Sequence, residues 1–129
     1  MSVKADVKII MKKENLKELN DKLQSFGFED YELDIWNNKR EISVTRSDFI
    51  LLEWNYTRWD YDTDEVVEII VDYLHMLADN NIPCRYIAIY DVGTEDEIKS
   101  YGPDEYVVFI EGCMYVSREI KVSDYFYDM

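Results

Sequence analysis

The sequence is poor in several residue types that mark common functional sites. Its 129 residues include four glycines, two cysteines and one histidine. Four scattered glycines leave no glycine-rich loop for phosphate, and Cys84, Cys113 and His75 match no zinc spacing. The two cysteines are also distant in sequence from His75, so no nucleophile–histidine–acid arrangement is indicated. We therefore expect no catalytic residues, no metal and no cofactor, although residues distant in sequence can meet in a fold.

Long apolar runs are also missing. No segment approaches the roughly 18 apolar residues of a membrane span, and no basic segment followed by an apolar stretch begins the chain as in a signal peptide. We expect a cytoplasmic protein. Cys84 and Cys113 each stand in a strand-like run, which is typical of small buried thiols rather than of a disulfide. The length predicts a single domain over residues 1–129.

Basic residues are scarce in the second part of the chain. Residues 1–46 contain nine Lys/Arg and nine Asp/Glu, so the whole net charge of −14 lies in residues 47–129. Net charge informs about partners rather than fold. Direct binding of nucleic acid or of an anionic membrane is disfavoured, because both would repel this charge. A basic protein partner is favoured instead.

Apolar periodicity predicts an α+β fold. Alternating patterns predict strands over 3–11, 41–46, 49–57 and 84–91, and a closing hairpin of 105–111 with 113–122. Helical spacing predicts helices over 13–26 and 63–80, and Thr94 with Glu97 matches a capping box that predicts a short helix over 94–101. The first six elements follow a β-α-β-β-α-β order. We predict a ferredoxin-like βαββαβ core with a C-terminal β-hairpin, as one mainly antiparallel sheet with two helices on one face.

Residues 53–70, EWNYTRWDYDTDEVVEII, raise the question of a metal site. Asp60, Asp62 and Asp64 occupy the first three liganding positions of an EF-hand-like loop, but that loop also requires a glycine and a bidentate glutamate. Glu65 and Val71 stand at those two positions, so we expect no dedicated calcium site. An N-cap at Asp62 with Glu65 three residues later explains the same carboxylates as the start of a helix.

The predicted second helix has an outer side of a single charge sign. Its polar positions, at helical spacings of three and four residues, are Glu65, Glu68, Asp72, His75 and Asp79. No lysine or arginine interrupts this stripe, which would run about 20 Å along the helix. A second acidic cluster follows at 91–105, including Asp96 and Glu97. Either these charges form an ordinary solvated surface, or they join into one face that docks on a basic partner.

Aromatic residues accompany the acidic segments. Ten of the eleven tyrosines lie at or after Tyr56. Alternation places Trp54 and Tyr56 in the core, whereas Trp59 and Tyr61 follow the strand and fit either a core or an interface. Trp and Tyr are frequent anchors of protein interfaces.

The runs ADVKIIMKKENLKEL, ILLEWNYTRW and YIAIYDVGTEDEI resemble uncharacterised proteins of phages and prophages of low-GC Gram-positive bacteria. Small acidic chains of this kind also resemble phage inhibitors of bacterial defence, including anti-CRISPR and DNA-mimic proteins. This resemblance implies a non-enzymatic inhibitor that binds the nucleic-acid-binding surface of a nuclease or effector. Immunity proteins that neutralise basic nuclease toxins share the profile, and a small acidic enzyme or ligand-binding domain remains an alternative. The candidate partner-binding residues are Glu65, Glu68, Asp72, Asp79, Asp60, Asp62, Trp59, Tyr61, Asp96 and Glu97.

Overall fold

The computed structural model describes residues 4–27, 34–43, 49–91, 96–104, 106, 110–111, 114–116 and 120–122. In chain order, the elements are β1 Lys4–Lys12, α1 Lys13–Ser25, α2 Asp34–Asn37, β2 Arg40–Ser43, β3 Phe49–Arg58, α3 Glu65–Asp79, β4 Cys84–Tyr90, β5 Glu97–Tyr101, β6 Met114–Val116 and β7 Ile120–Val122.

The first five strands form one antiparallel sheet in the spatial order β2-β3-β1-β4-β5. The predicted α+β class is therefore confirmed, and the pairing of β2 with β3 agrees with the strands predicted there. The sheet is larger than a four-stranded ferredoxin-like core because β5 extends it beyond β4. The ferredoxin-like arrangement itself stays a prediction.

The helices cover one face of the sheet. Alternating residues of β1, Val7, Ile9 and Met11, face the same apolar cluster as Leu19 of α1 and Leu74 of α3. The period of two in the strand and of 3.6 in the helices thus places both apolar sets in one core. Each aliphatic side chain of this size contributes roughly 1.5–3 kcal/mol when fully buried.

The C-terminal part of the chain covers the opposite face. Ile10 and Leu51, on neighbouring strands, lie in a second apolar cluster with Ile110, Met114 and Ile120. Alternate residues of β1 and β3 therefore serve two different cores. The sheet is a central layer between the helices and the residues around β6 and β7.

The helix predicted over 94–101 was wrong. Glu97–Tyr101 is a strand, because pairing with β4 overrides the capping-box signal of the predicted helix. The predicted closing hairpin is not confirmed: Tyr106 and Ile110 have helical geometry, and the ladder that does form pairs β6 with β7. Residues 34–37, for which no helix or strand was predicted, form the short helix α2.

Candidate functional site

One end of the sheet brings the predicted acidic segments together. The start of β1 lies beside the end of β3, through Lys4 opposite Arg58, and beside the end of β4, through Ala5 opposite Tyr90. β5 begins at the same end, and residues 59–64 lead from β3 into α3. We call the carboxylates predicted to bind a partner the acidic face; all are partly or fully exposed, and they are Asp60, Asp62, Glu65, Glu68, Asp72, Asp79, Asp96 and Glu97. Asp79, the last residue of α3, lies toward the other end of the sheet, where β4 begins.

The α3 part of the acidic face points to solvent along the whole helix. The polar positions predicted from the sequence are all exposed, and they are Glu65, Glu68, Asp72, His75 and Asp79. Between them Val67, Ile70 and Leu74 are fully buried. Because the helix contains no lysine or arginine, no positive side chain of α3 neutralises the stripe.

The loop before α3 is a turn built on Asp60. Its side-chain Oδ1 accepts the Asp62 N–H at 3.1 Å, and its carbonyl accepts the Asp64 N–H at 2.9 Å. The helix begins at Glu65 with Asp64 as N-cap, so the predicted N-cap at Asp62 was wrong and Asp62 lies exposed in the turn. The side chain of Asp64 makes no cap hydrogen bond.

Asp64 is the buried member of the acidic segment. Its Oδ1 is 2.6 Å from Nη2 of Arg58, while its Oδ2 has no hydrogen-bond partner among the described residues. The carboxylate is 6% exposed and the arginine 54%. This ion pair fastens the end of β3 to the start of α3, and it removes Asp64 from the surface that a partner could touch.

Tyr61 connects the loop to the stripe on α3. Its hydroxyl donates a 2.8 Å hydrogen bond to Oδ1 of Asp72. That hydrogen bond is the main cause of a raised pKa for the Tyr61 hydroxyl, and the negative charges of Glu68 and Asp62 also contribute. Carboxylates from the loop and from two turns of α3 therefore surround one exposed tyrosine.

Tyr90 connects the end of β4 to the start of β5. Its hydroxyl donates to Oε1 of Glu97, and its backbone N–H donates to Oδ1 of Asp96 at 3.2 Å. Burial is the largest cause of the raised pKa of Tyr90, followed by Glu97, and the charge of Asp60 adds to it. Asp96 and Glu97 are therefore held at the end of β4, at the same end of the sheet as the loop before α3.

Trp59 belongs to the core and not to the surface. Its side chain is 1% exposed, its Nε1 donates to the Tyr86 hydroxyl at 2.9 Å, and its ring centroid lies 5.1 Å from that of Trp54. The interface role predicted for Trp59 is therefore replaced by a packing role. Tyr61, which shared the same sequence-based prediction, is 43% exposed.

The prediction for Tyr56 was wrong in the opposite direction to that for Trp59. Strand alternation predicted a core residue, but the side chain is 60% exposed. The register between β1 and β3 shifts at this point, between Ala5 and Val7, so the strict alternation of β3 is lost. The backbone N–H of Tyr56 donates to Oδ1 of Asp6 at 2.7 Å, and its hydroxyl donates to Oδ2 of Asp91 at 3.3 Å.

Two further observations concern metal and ligand sites among the described residues. No group of three or more His, Cys, Asp or Glu side chains in this part of the chain is arranged to hold a metal ion. An open groove of about 430 Å³ runs between α1, α2 and β2, and its lining residues are Lys13, Leu16, Lys17, Asn20, Trp36, Lys39 and Glu41. The groove's carboxylate, Glu41, is 3.1 Å from Lys39 Nζ and is therefore already paired.

The comparisons with known proteins add no relative: no family model matches the chain, and no match was found among curated proteins or solved structures. None of the helices in the described ranges has the length and apolar composition needed to cross a bilayer.

Proposed function

We propose that this protein is a non-enzymatic inhibitor in phage anti-defence whose acidic face binds the basic, nucleic-acid-binding surface of a nuclease or effector. The observation that carries the proposal is that acidic residues from the loop, the start of α3 and the start of β5 lie at one end of the sheet. Tyr61 joins the loop to Asp72, and Tyr90 joins the end of β4 to Asp96 and Glu97.

The geometry of α3 supports such a role. Residues three or four apart on a helix have Cβ atoms about 5–6 Å apart, so the carboxylates of α3 form a row of negative charge, as the phosphates of a nucleic-acid strand do. A row of this kind can occupy a groove lined by lysine and arginine. It also accelerates encounter with a positively charged partner, more than it raises affinity.

Tyr61 supplies a contact of a different kind. Aromatic side chains contribute much more binding energy per residue than rim charges do. The hydrogen bond to Asp72 holds the exposed Tyr61 ring against α3 before a partner arrives, which reduces the entropy lost on binding. Charge and a fixed aromatic anchor therefore occur on the same surface.

The same surface would suit an immunity protein for a basic nuclease toxin. The two biological roles share one physical mechanism, and they differ in gene context. A neighbouring toxin gene would favour the immunity role, whereas a phage early region would favour anti-defence.

We also propose that β1 to β4, with α1 and α3, form a ferredoxin-like core to which β5 has been added. The order β2-β3-β1-β4, with antiparallel neighbours throughout, supports this assignment. So does the placement of residues from α1 and α3 in the same apolar cluster.

The proposal is tested by recovering partners from a bacterial lysate at low and at high salt. We expect a basic nucleic-acid-handling enzyme that high salt releases. The double reversal E68K/D72K should abolish recovery. The matched control E14K/D21K makes the same charge change on exposed residues of α1 and should retain the partner. Equal recovery by both variants, each with a native circular dichroism spectrum, would disprove the role of the acidic face.

A further inference from the structure

We propose that the Tyr56 ring, with Asp6 and Asp91 beside it, is a receptor for an arginine or lysine side chain of the partner protein. This inference rests on the proposed function, because it assigns the partner a cationic side chain at a stated position. It adds a recognition site at the end of the sheet to the charges on α3. Three observations support it: the backbone conformation of Tyr56, the hydrogen bonds that Tyr56 makes with the two aspartates, and the lysine side chain that lies over its ring.

The backbone of Tyr56 is held in an unfavourable conformation. Its φ is 46°, in the left-handed region that a bulky residue rarely adopts. The register shift opposite Ala5 and Val7 marks an irregularity in the β1–β3 ladder at this position. Glycine would occupy such a site at lower cost, so the tyrosine adopts this conformation at an energetic penalty. Strained residues of this kind cluster at binding sites.

Two carboxylates hold the tyrosine in place. Asp6 accepts its backbone N–H, and Asp91 accepts its hydroxyl. Both aspartates are exposed, and each has a second oxygen that makes no hydrogen bond or ion pair with the described residues. The ring is therefore fixed at both ends while 60% of the residue stays open to solvent. Such preorganisation is typical of an interface anchor.

A cation already lies over this ring. Nζ of Lys4 is 5.1 Å from the ring centroid, within the range of a cation–π contact. Lys4 is exposed and makes no ion pair with any described residue. The aromatic face and the negative charge of Asp6 and Asp91 thus attract a positive group, and the chain's own lysine stands in for it. A partner's guanidinium would be the better ligand, since arginine also stacks on aromatic rings.

The experiment titrates the full-length protein with an oligo-arginine peptide and follows binding by amide and tyrosine-ring NMR shifts. Tyr56→Gly removes the ring but suits the positive φ, so the fold should be kept, and an unchanged amide pattern elsewhere checks this. Tyr56→Phe keeps the ring. Lys4→Gln removes the resident cation, and Lys13→Gln is its matched control on exposed α1.

We expect Tyr56→Gly to weaken peptide binding at least about threefold, and Tyr56→Phe to stay close to the unsubstituted protein. Lys4→Gln should strengthen binding about two- to fivefold, and by more than Lys13→Gln, because the incoming cation no longer competes with Lys4. Equal gains from the two lysine substitutions would overturn the role given to Lys4.

The remaining outcomes separate this inference from the proposed function. Unchanged binding by Tyr56→Gly, with weaker binding by E68K/D72K, would overturn the receptor and leave the acidic face intact. The reverse pattern would support the receptor and move the docking surface away from α3. Absence of any peptide binding would count against both.

Discussion

Trp59 donates a hydrogen bond from Nε1 to the Tyr86 hydroxyl across 2.9 Å, and both side chains are at least 98% buried. This hydrogen bond joins the residue that follows β3 to the middle of β4 inside the core. Farther along β4, the Tyr90 hydroxyl donates to Glu97 of β5.

The hydrogen bond between Trp59 and Tyr86 predicts coupled effects on stability. Trp59→Phe leaves the Tyr86 oxygen without its donor, and we expect the free energy of unfolding to fall by about 1–3 kcal/mol. Tyr86→Phe should cost a similar amount. In the double variant the two losses should be less than additive, with a coupling of at least about 0.5 kcal/mol. Urea unfolding measures all four proteins, and additive losses would contradict the coupling.

Buried tyrosines predict a loss of stability in alkali. Burial raises the pKa of Tyr73 and Tyr86 above the ordinary value of 10.0. Above that pH the unfolded chain loses protons that the folded chain keeps, so the free energy of unfolding falls as pH rises. The slope is about 1.4 kcal/mol per pH unit for each tyrosine kept protonated, and below pH 10.0 the stabilisation is fully present.

Tyr73→Phe tests this pH dependence with a small structural change. The hydroxyl of Tyr73 donates to Glu18 at 3.0 Å, so its loss should cost about 1 kcal/mol at neutral pH. Above pH 10.0 the variant should lose stability less steeply than the unsubstituted protein. Urea midpoints measured across that range provide the slopes, and parallel slopes would be inconsistent with a raised pKa for Tyr73.

The contacts of Arg85 predict that its replacement affects β6 and β7 more than the stability of the whole protein. It is 8% exposed, its Nε donates to the Met114 carbonyl at 3.1 Å, and its Nη1 donates to Ser100 Oγ at 2.6 Å. Burial lowers the pKa of this guanidinium, and the charge of Glu111 opposes the shift. The side chain thus ties β6 to the sheet.

Replacing this arginine should loosen the C-terminal layer first. Arg85→Met removes the donor to Met114 and also the desolvation cost of the charge, so we expect a modest change in global stability. Amide exchange in β6 and β7 should accelerate at least about tenfold. Ser100→Ala keeps the bond to Met114 and should leave exchange there unchanged; a uniform acceleration across the sheet in Arg85→Met would rule out the local role.

Local sequence patterns correctly predicted the strands and helices whose tertiary contacts favour the same conformation. Val7, Ile9 and Met11 alternate in sequence and share one core in the structure. The leucines of α1 and the valines of α3 likewise predicted the buried helix sides, and Gly27, with a φ of 66°, follows α1 as predicted. In each case local propensity and tertiary contact favour the same conformation.

The wrong predictions concern residues whose conformation or burial depends on contacts with a strand that is distant in sequence. The capping-box signal at Glu97 was local, whereas the strand there depends on pairing with Ala88 in β4. Tyr56 followed the apolar alternation of β3, but the register shift opposite β1 exposed it. Trp59 was left open between core and surface because its burial depends on Tyr86. Asp6, which holds Tyr56, carried no sequence signal beyond being a polar residue in a strand.

The position of β1 has a consequence for synthesis on the ribosome. It is made before β3 and β4, yet it lies between them in the sheet. In a growing chain, the edge of β1 that pairs with β4 therefore stays unpaired until Tyr90 has emerged. Long-range pairing of this kind slows folding and exposes nascent chains to aggregation. Chains that stop before β4 should require a chaperone to stay in solution, whatever the acidity of the finished protein.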